Sequence, residues 1–233
     1  MADLAAHGRY GSFKDDSSGP VAGPMPEEAA MATITSICVY CGSGNGHADI
    51  HVNAAKEFGA AMAKAGIRLV YGGGGIGLMG ALASAVIDGG GKVTGIIPDF
   101  LKRKEMSLDG VMDLVIVPDM HTRKMRMFTE ADAFVALPGG IGTLEELIEQ
   151  MTWAQLGRHA KPVAIANVGG FWDPLRVLLD HMKDEGFIRP GLQVKYSVID
   201  EVRDIIPTLQ AQVASLPQEA LSAEHDPIVT GKM

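Results

Sequence analysis

Cysteine is scarce in this chain: among 233 residues only Cys38 and Cys41 carry a thiol, so there is no disulfide framework. That usage fits reduced thiols in an intracellular, cytoplasmic setting. The C-x-x-C spacing has no second pair to complete a zinc site, and Cys38 falls within an expected strand. Positive charge is also short. Against 28 Asp and Glu stand 20 Lys and Arg, a net charge of −8. This balance excludes a nucleic-acid groove and leaves any phosphate site to be built locally, largely from backbone. No apolar run approaches the roughly 20 residues of a membrane helix, so no membrane partner is expected. His159 and His181 lack ligand spacing, and no metal site is expected.

What is present suits one α/β domain with tails: 47% of residues are hydrophobic and 21% charged. Residues 1–32 are rich in Gly, Pro, Ser and Ala, with acidic pairs at Asp15-Asp16 and Glu27-Glu28. Such composition reads as a flexible tail; it has no apolar core for a secretory signal, and its acids argue against a transit peptide. One folded α/β domain is expected over 33–214, with a second loose tail over 215–233.

Within the domain, short β-branched runs alternate with Ala-rich helical segments. Strands are expected at Ile34–Tyr40, Ile67–Tyr71, Lys92–Ile97, Asp113–Val117, Ala133–Leu137 and Pro162–Asn167. Helices are expected at Asp49–Lys64, Leu78–Asp88, Met120–Glu130, Thr143–Leu156, Trp172–Glu185 and Glu201–Ala211. Strands apolar throughout, with helices between them, specify a parallel sheet covered on both faces. The expected fold is therefore a single Rossmann-like, doubly wound α/β sheet, which binds ligands beyond its strands' carboxyl ends.

Three Gly-rich loops fall at such ends: Cys41-Gly-Ser-Gly-Asn-Gly46, Gly72-Gly-Gly-Gly-Ile-Gly77 and Pro138-Gly-Gly-Ile-Gly142. The last leads directly into a helix, whose unpaired N–H groups and positive dipole end attract phosphate. Glu145 and Glu146 lie in its first turn. Thr143-Leu-Glu-Glu146 also fits a capping box, in which Thr143 caps the helix and Glu146 bonds back. Gly75-Ile-Gly-Leu-Met-Gly80 matches the dinucleotide fingerprint, with Asp99 placed to hold a ribose; Gly77 and Gly80 could equally permit close helix–strand packing. His121-Thr-Arg-Lys124 opens a helix at another strand end, and the Arg123 fork suits phosphate or carboxylate. A solvated basic face is the plain alternative.

Pro138-Gly-Gly-Ile-Gly-Thr-Leu-Glu-Glu146 matches P-G-G-x-G-T-x-x-E, and Met120-His-Thr-Arg-Lys124, Tyr71-Gly-Gly-Gly74, Val39-Tyr-Cys-Gly-Ser43 and Thr152-Trp-Ala-Gln-Leu156 accompany it. Together they resemble the Lonely Guy family of cytokinin-activating phosphoribohydrolases, over about Thr33 to Leu209. The family also carries the label lysine decarboxylase, but no pyridoxal-phosphate lysine site is evident. The resemblance implies hydrolysis of the N-glycosidic bond of a nucleoside 5′-monophosphate, without cofactor, by a homodimer. It assigns Arg123 and Glu146 as the catalytic pair. It places Glu105, Arg123, Lys124, Gly140, Ile141, Gly142, Thr143, Leu144, Glu145, Glu146 and Thr152 at the ligand, beside Gly42, Ser43, Gly73, Gly74 and Gly139 of the glycine loops. Gly44 stands where the family more often has a second Ser, which removes one hydroxyl from the first loop. Three rivals remain open: a general purine or pyrimidine monophosphate nucleosidase, a non-catalytic nucleotide carrier and a dinucleotide enzyme.

Overall fold

The structure is a computed structural model and describes residues 32–102, 113–188, 195–214, 216 and 218–221. Seven strands pair in the order β4-β3-β2-β1-β5-β6-β7, every pairing parallel. They are β1 (Ser36–Tyr40), β2 (Arg68–Tyr71), β3 (Val93–Pro98), β4 (Asp113–Val117), β5 (Ala133–Ala136), β6 (Val163–Ala166) and β7 (Ser197–Ile199). The helices are α1 (Asp49–Lys64), α2 (Gly77–Asp88), the single-turn α3 (Asp99–Lys102), α4 (Met120–Thr129), α5 (Ile141–Gln155), α6 (Asp173–Asp184) and α7 (Ile205–Val213). The doubly wound parallel sheet is thus the one expected. The short edge strand β7 and the single turn α3 were not.

Alternation along the central strands assigns the two layers. Ile37, Val39, Leu69 and Tyr71 face one core, which α1, α2 and α7 complete through Phe58, Met62, Leu82 and Leu209. Cys38, Tyr40, Val70 and Phe134 face the other, closed by Phe128 of α4, Leu147 and Met151 of α5, and Leu175 of α6. The helix expected at Glu201–Ala211 is split into a 3-10 turn, Val202–Asp204, followed by α7. Pro207 explains the break: lacking an N–H, it is tolerated only in a first turn, so the helix starts afresh at Ile205.

The packed body reaches slightly past the expected boundaries. Ala32 donates its N–H to the Leu216 carbonyl at 2.9 Å, and Leu221 is buried in the core. At the sheet's amino edge, the Asp132 carboxylate accepts from the amides of Thr35 and Ser36, at 2.8 and 2.9 Å, and from both hydroxyls. That contact locks the starts of β1 and β5 together.

Candidate active site

Strand order reverses between β1 and β5, the position where open α/β sheets leave a crevice at the carboxyl edge. Two of the glycine loops meet there. Gly42 N–H donates to the Pro138 carbonyl at 3.1 Å, and Leu137 N–H to the Tyr40 carbonyl at 2.9 Å. Gly42, Ser43, Pro138, Gly140, His51 and Phe171 line part of a cleft of about 480 Å³.

Helix ends at this edge differ in what occupies their first amides. At α2, Leu78 and Met79 donate to the Gly42 carbonyl, at 3.0 and 3.3 Å. A Cβ at Gly77, whose φ is +64°, would sit 2.2 Å from the Ser43 carbonyl carbon, and one at Gly80 would sit 2.3 Å from the Gly75 oxygen. The fingerprint glycines therefore serve close packing, and the donors that would hold a dinucleotide pyrophosphate are already engaged. At α4, Asp119 caps the helix by accepting from Thr122 N–H at 2.8 Å and from its hydroxyl at 3.1 Å. The Thr122 amide holds the Asp119 carboxyl below its ordinary range.

The α5 start is open. Its N-cap is Gly140, with no side-chain cap, and Ile141 is 82% exposed. The amides of Ile141, Gly142 and Thr143 find no acceptor among the described residues. The capping box does not form because the helix begins at Ile141, which leaves Thr143 buried inside the first turn. Its hydroxyl lies over Gly139, where an added Cβ would approach to 2.2 Å. Thr143 thus braces the glycine turn while the amides point outward, an arrangement suited to phosphate.

Arg123 is 6% exposed. Its Nε donates to the Ile96 carbonyl at 3.1 Å and its Nη2 to the Gly72 carbonyl at 3.0 Å. Neutral acceptors fix the fork without cancelling its charge. Gly72 makes the slot, since a Cβ there would fall 2.1 Å from Nη2; Gly73 and Gly74 follow it, buried in the same loop. Lys124 is committed elsewhere, to Glu145 at 2.7 Å and Glu149 at 3.0 Å. These hydrogen bonds, Glu145's foremost, raise its pKa. Glu146 is half-buried on the inner side of the same turn. Burial above all, with the Glu146 charge added, pushes Tyr40 and Cys41 well above their ordinary ranges. The charge of that carboxylate is therefore felt at the end of β1.

The expected residues therefore divide. Gly42, Ser43 and Gly139 to Thr143 gather at the α5 start, with Glu146 in its first turns and Arg123 at the neighbouring strand ends. Leu144 packs partly into the core. Thr152 is exposed about two and a half turns further along α5, with its hydroxyl on the Ile148 carbonyl at 2.7 Å. Glu105 lies outside the described residues.

The family described as "Possible lysine decarboxylase" matches residues 79–209. The cytokinin riboside 5′-monophosphate phosphoribohydrolase LOG of Oryza sativa subsp. japonica is 53% identical over 152 residues, 65% of this chain and 63% of that one. A cytokinin riboside 5′-monophosphate phosphoribohydrolase of Arabidopsis thaliana is 50% identical over 164 residues, 70% of this chain and 76% of its own. The chain belongs to the Lonely Guy family. The solved molybdenum cofactor carrier protein of Chlamydomonas reinhardtii shares its fold, with a TM-score of 0.58 at 21% identity over 78% of this chain and 98% of that one.

Among the side chains of this Lonely Guy chain's cleft that escaped the sequence reading are two aromatic ones. His51, on α1, and Phe171 meet edge to face, with ring centroids 5.7 Å apart. A signal existed: Gly169-Gly170 follows β6 as the other glycine pairs follow their strands. Nor do Lys124 and Lys161 offer a decarboxylase its cofactor lysine. Lys124 is ion-paired, and Lys161 is buried before β6 at the opposite edge, donating to the Phe128 carbonyl at 2.7 Å. Among the described residues, no group of His, Cys, Asp and Glu could hold a metal ion.

Proposed function

We propose that this protein hydrolyses the N-glycosidic bond of cytokinin riboside 5′-monophosphates, giving a free adenine-type base and ribose 5-phosphate. The single observation that carries the reading is the open start of α5 with Glu146 in the turn behind it, in a chain 53% identical to a phosphoribohydrolase of that name. The α5 amides hold the 5′-phosphate, so binding energy remote from the scissile bond positions the sugar. As the bond from C1′ to the base nitrogen breaks, its electron pair leaves with the base and positive charge grows on the ribose. Glu146 stabilises that cation and takes a proton from the water that attacks C1′. A proton returned to the base nitrogen completes the balance. Arg123 holds the substrate or the departing base.

A homodimer built around α4 and α5 is part of this proposal. Met125 on α4 is 39% exposed and Leu156, capping the end of α5, is 69% exposed, apolar surface that a second copy could cover. A cytoplasmic setting is supported by Cys38 and Cys41, both buried as free thiols. Among the described residues no helix is long and apolar enough to cross a membrane.

The test incubates the protein with AMP, CMP and isopentenyladenosine monophosphate and assays free base and ribose 5-phosphate. Release from the prenylated substrate alone is expected; equal release from all three replaces the reading with general salvage. Intact nucleotide recovered after tight binding makes the protein a carrier. Glu146→Gln should lower kcat by about 10²- to 10⁴-fold with the fold retained.

A further inference from the structure

One turn beyond Glu146 on α5 sits Gln150, only 1% exposed, and neither its Nε2 nor its Oε1 has a hydrogen-bond partner. Its neighbours on the inner face, Leu147 and Met151, belong to the apolar core with Tyr40 and Phe134. A primary amide sealed in such a wall forfeits its water hydrogen bonds and, in this state, regains none. A methionine would fill the same space at less cost. Positions i and i+4 are neighbours on a helix, and long helical side chains lean back toward the N-terminus. The Gln150 side chain therefore overlies the turn that carries Glu146.

We infer that Gln150 is a positioning residue: its buried amide donates to the Glu146 carboxylate during turnover, orienting it toward the sugar and holding it ionised. The inference rests on the ribohydrolase reading of Glu146. Among the described residues, the groups around that carboxylate include Cys38, Tyr40 and Cys41 at β1 and its end, which feel its charge, Arg123 and Lys124 on α4, and its α5 neighbours Glu145 and Glu149. The two cysteines and Tyr40 stay neutral because burial pushes them up. Lys124 is spent on Glu145 and Glu149. Gln150, its amide unengaged, can serve Glu146 as a neutral donor beside its other contacts without changing the site's net charge.

Gln150→Met is the informative variant, because it removes the amide and keeps the volume. The thermal midpoint should hold or rise and KM for the monophosphate should stay constant. The kcat should fall about ten-fold, the scale of one hydrogen bond to a charged group. The acid limb of the kcat profile should move to higher pH by about one pH unit, since a donor to a carboxylate favours its ionised form. A carboxyl carbon NMR titration of Glu146 with ribose 5-phosphate bound should move the same way in the variant, relative to wild type. If Gln150→Met matches wild type in kcat, acid limb and titration while wild type releases base, the inference falls alone. If Glu146→Gln keeps full turnover, the ribohydrolase reading falls and takes the inference with it.

Discussion

Adjacent carboxylates on α5 have separate fates. Glu145, its side chain 51% exposed, joins Lys124 and ties α4 to α5, whereas Glu146 is half-buried and its charge is felt at Tyr40 and Cys41. An exposed pair of that kind contributes up to about 1 kcal/mol, and its value is structural. The same division appears in α4, where Lys124 is spent on an ion pair while Arg123 keeps its charge because its partners are carbonyls. Gly72 is the residue on which that placement depends. Gly72→Ala should displace the guanidinium, because the added carbon would meet Nη2 at 2.1 Å. Displacement of about 1 Å at a catalytic group can cost on the order of 10²-fold in rate. The variant should therefore lose about that much kcat/KM, with circular dichroism unchanged; full activity would remove Arg123 from the site.

At the scale of elements, what matters is which helix end remains open. Local sequence displays glycines before α2 and α5 alike, and it leaves the α2 fingerprint open between phosphate binding and close packing. The structure favours packing, because the α2 amides of Leu78 and Met79 are taken by the carbonyl of Gly42, a residue from another loop. Such capping from a distance leaves no mark in a local pattern. The sheet's strands and helices were legible because apolar, β-branched runs alternate with Ala-rich helical segments. The edge strand β7 was not, since Ser197–Ile199 is only three residues long and offers no such run. His51 and Phe171 were hidden for the reason that hid the α2 cap: only folding brings α1 against the turn after β6. An acid placed at the α5 start separates stability from binding. Ile141→Asp should stabilise the protein by about 0.3–1 kcal/mol through the helix dipole. The same carboxylate should repel a 5′-phosphate and raise KM for the monophosphate several-fold with little change in kcat. Calorimetry beside steady-state kinetics checks both, and an unchanged KM would move the phosphate away from α5.

Across the whole molecule, chemistry and stability occupy opposite edges of the sheet. The carboxyl edge keeps open amides and a half-buried acid, while the amino edge satisfies its groups densely. There Arg68 bonds Glu130 at 2.7 Å, with Arg126 on the same carboxylate at 2.7 Å. Burial alone would raise Glu130, but Arg68 and Arg126 outweigh it and hold its pKa below the ordinary 4.5. Lys161, pushed down to about 8 by burial, stands 4.3 Å over the Phe128 ring. His159, 5% exposed, lies between Phe128 and Phe134, and burial lowers it from 6.5 to about 4. Between those two values the unfolded chain binds the proton that the folded protein refuses, so stability falls as pH drops from 6.5 toward 4. The interval corresponds to about 3 kcal/mol when fully crossed. Glu130 enters only below its ordinary 4.5, so a window from about pH 6.5 to 5 isolates the histidine. His159→Gln keeps an amide for the Gln150 carbonyl, which His159 Nε2 contacts at 3.2 Å, and cannot take up the proton. Denaturant unfolding should therefore show a shallower loss of stability across that window in the variant than in wild type. Equal slopes would mean that His159 is not the group that titrates there, and that the aromatic cage admits the charged ring.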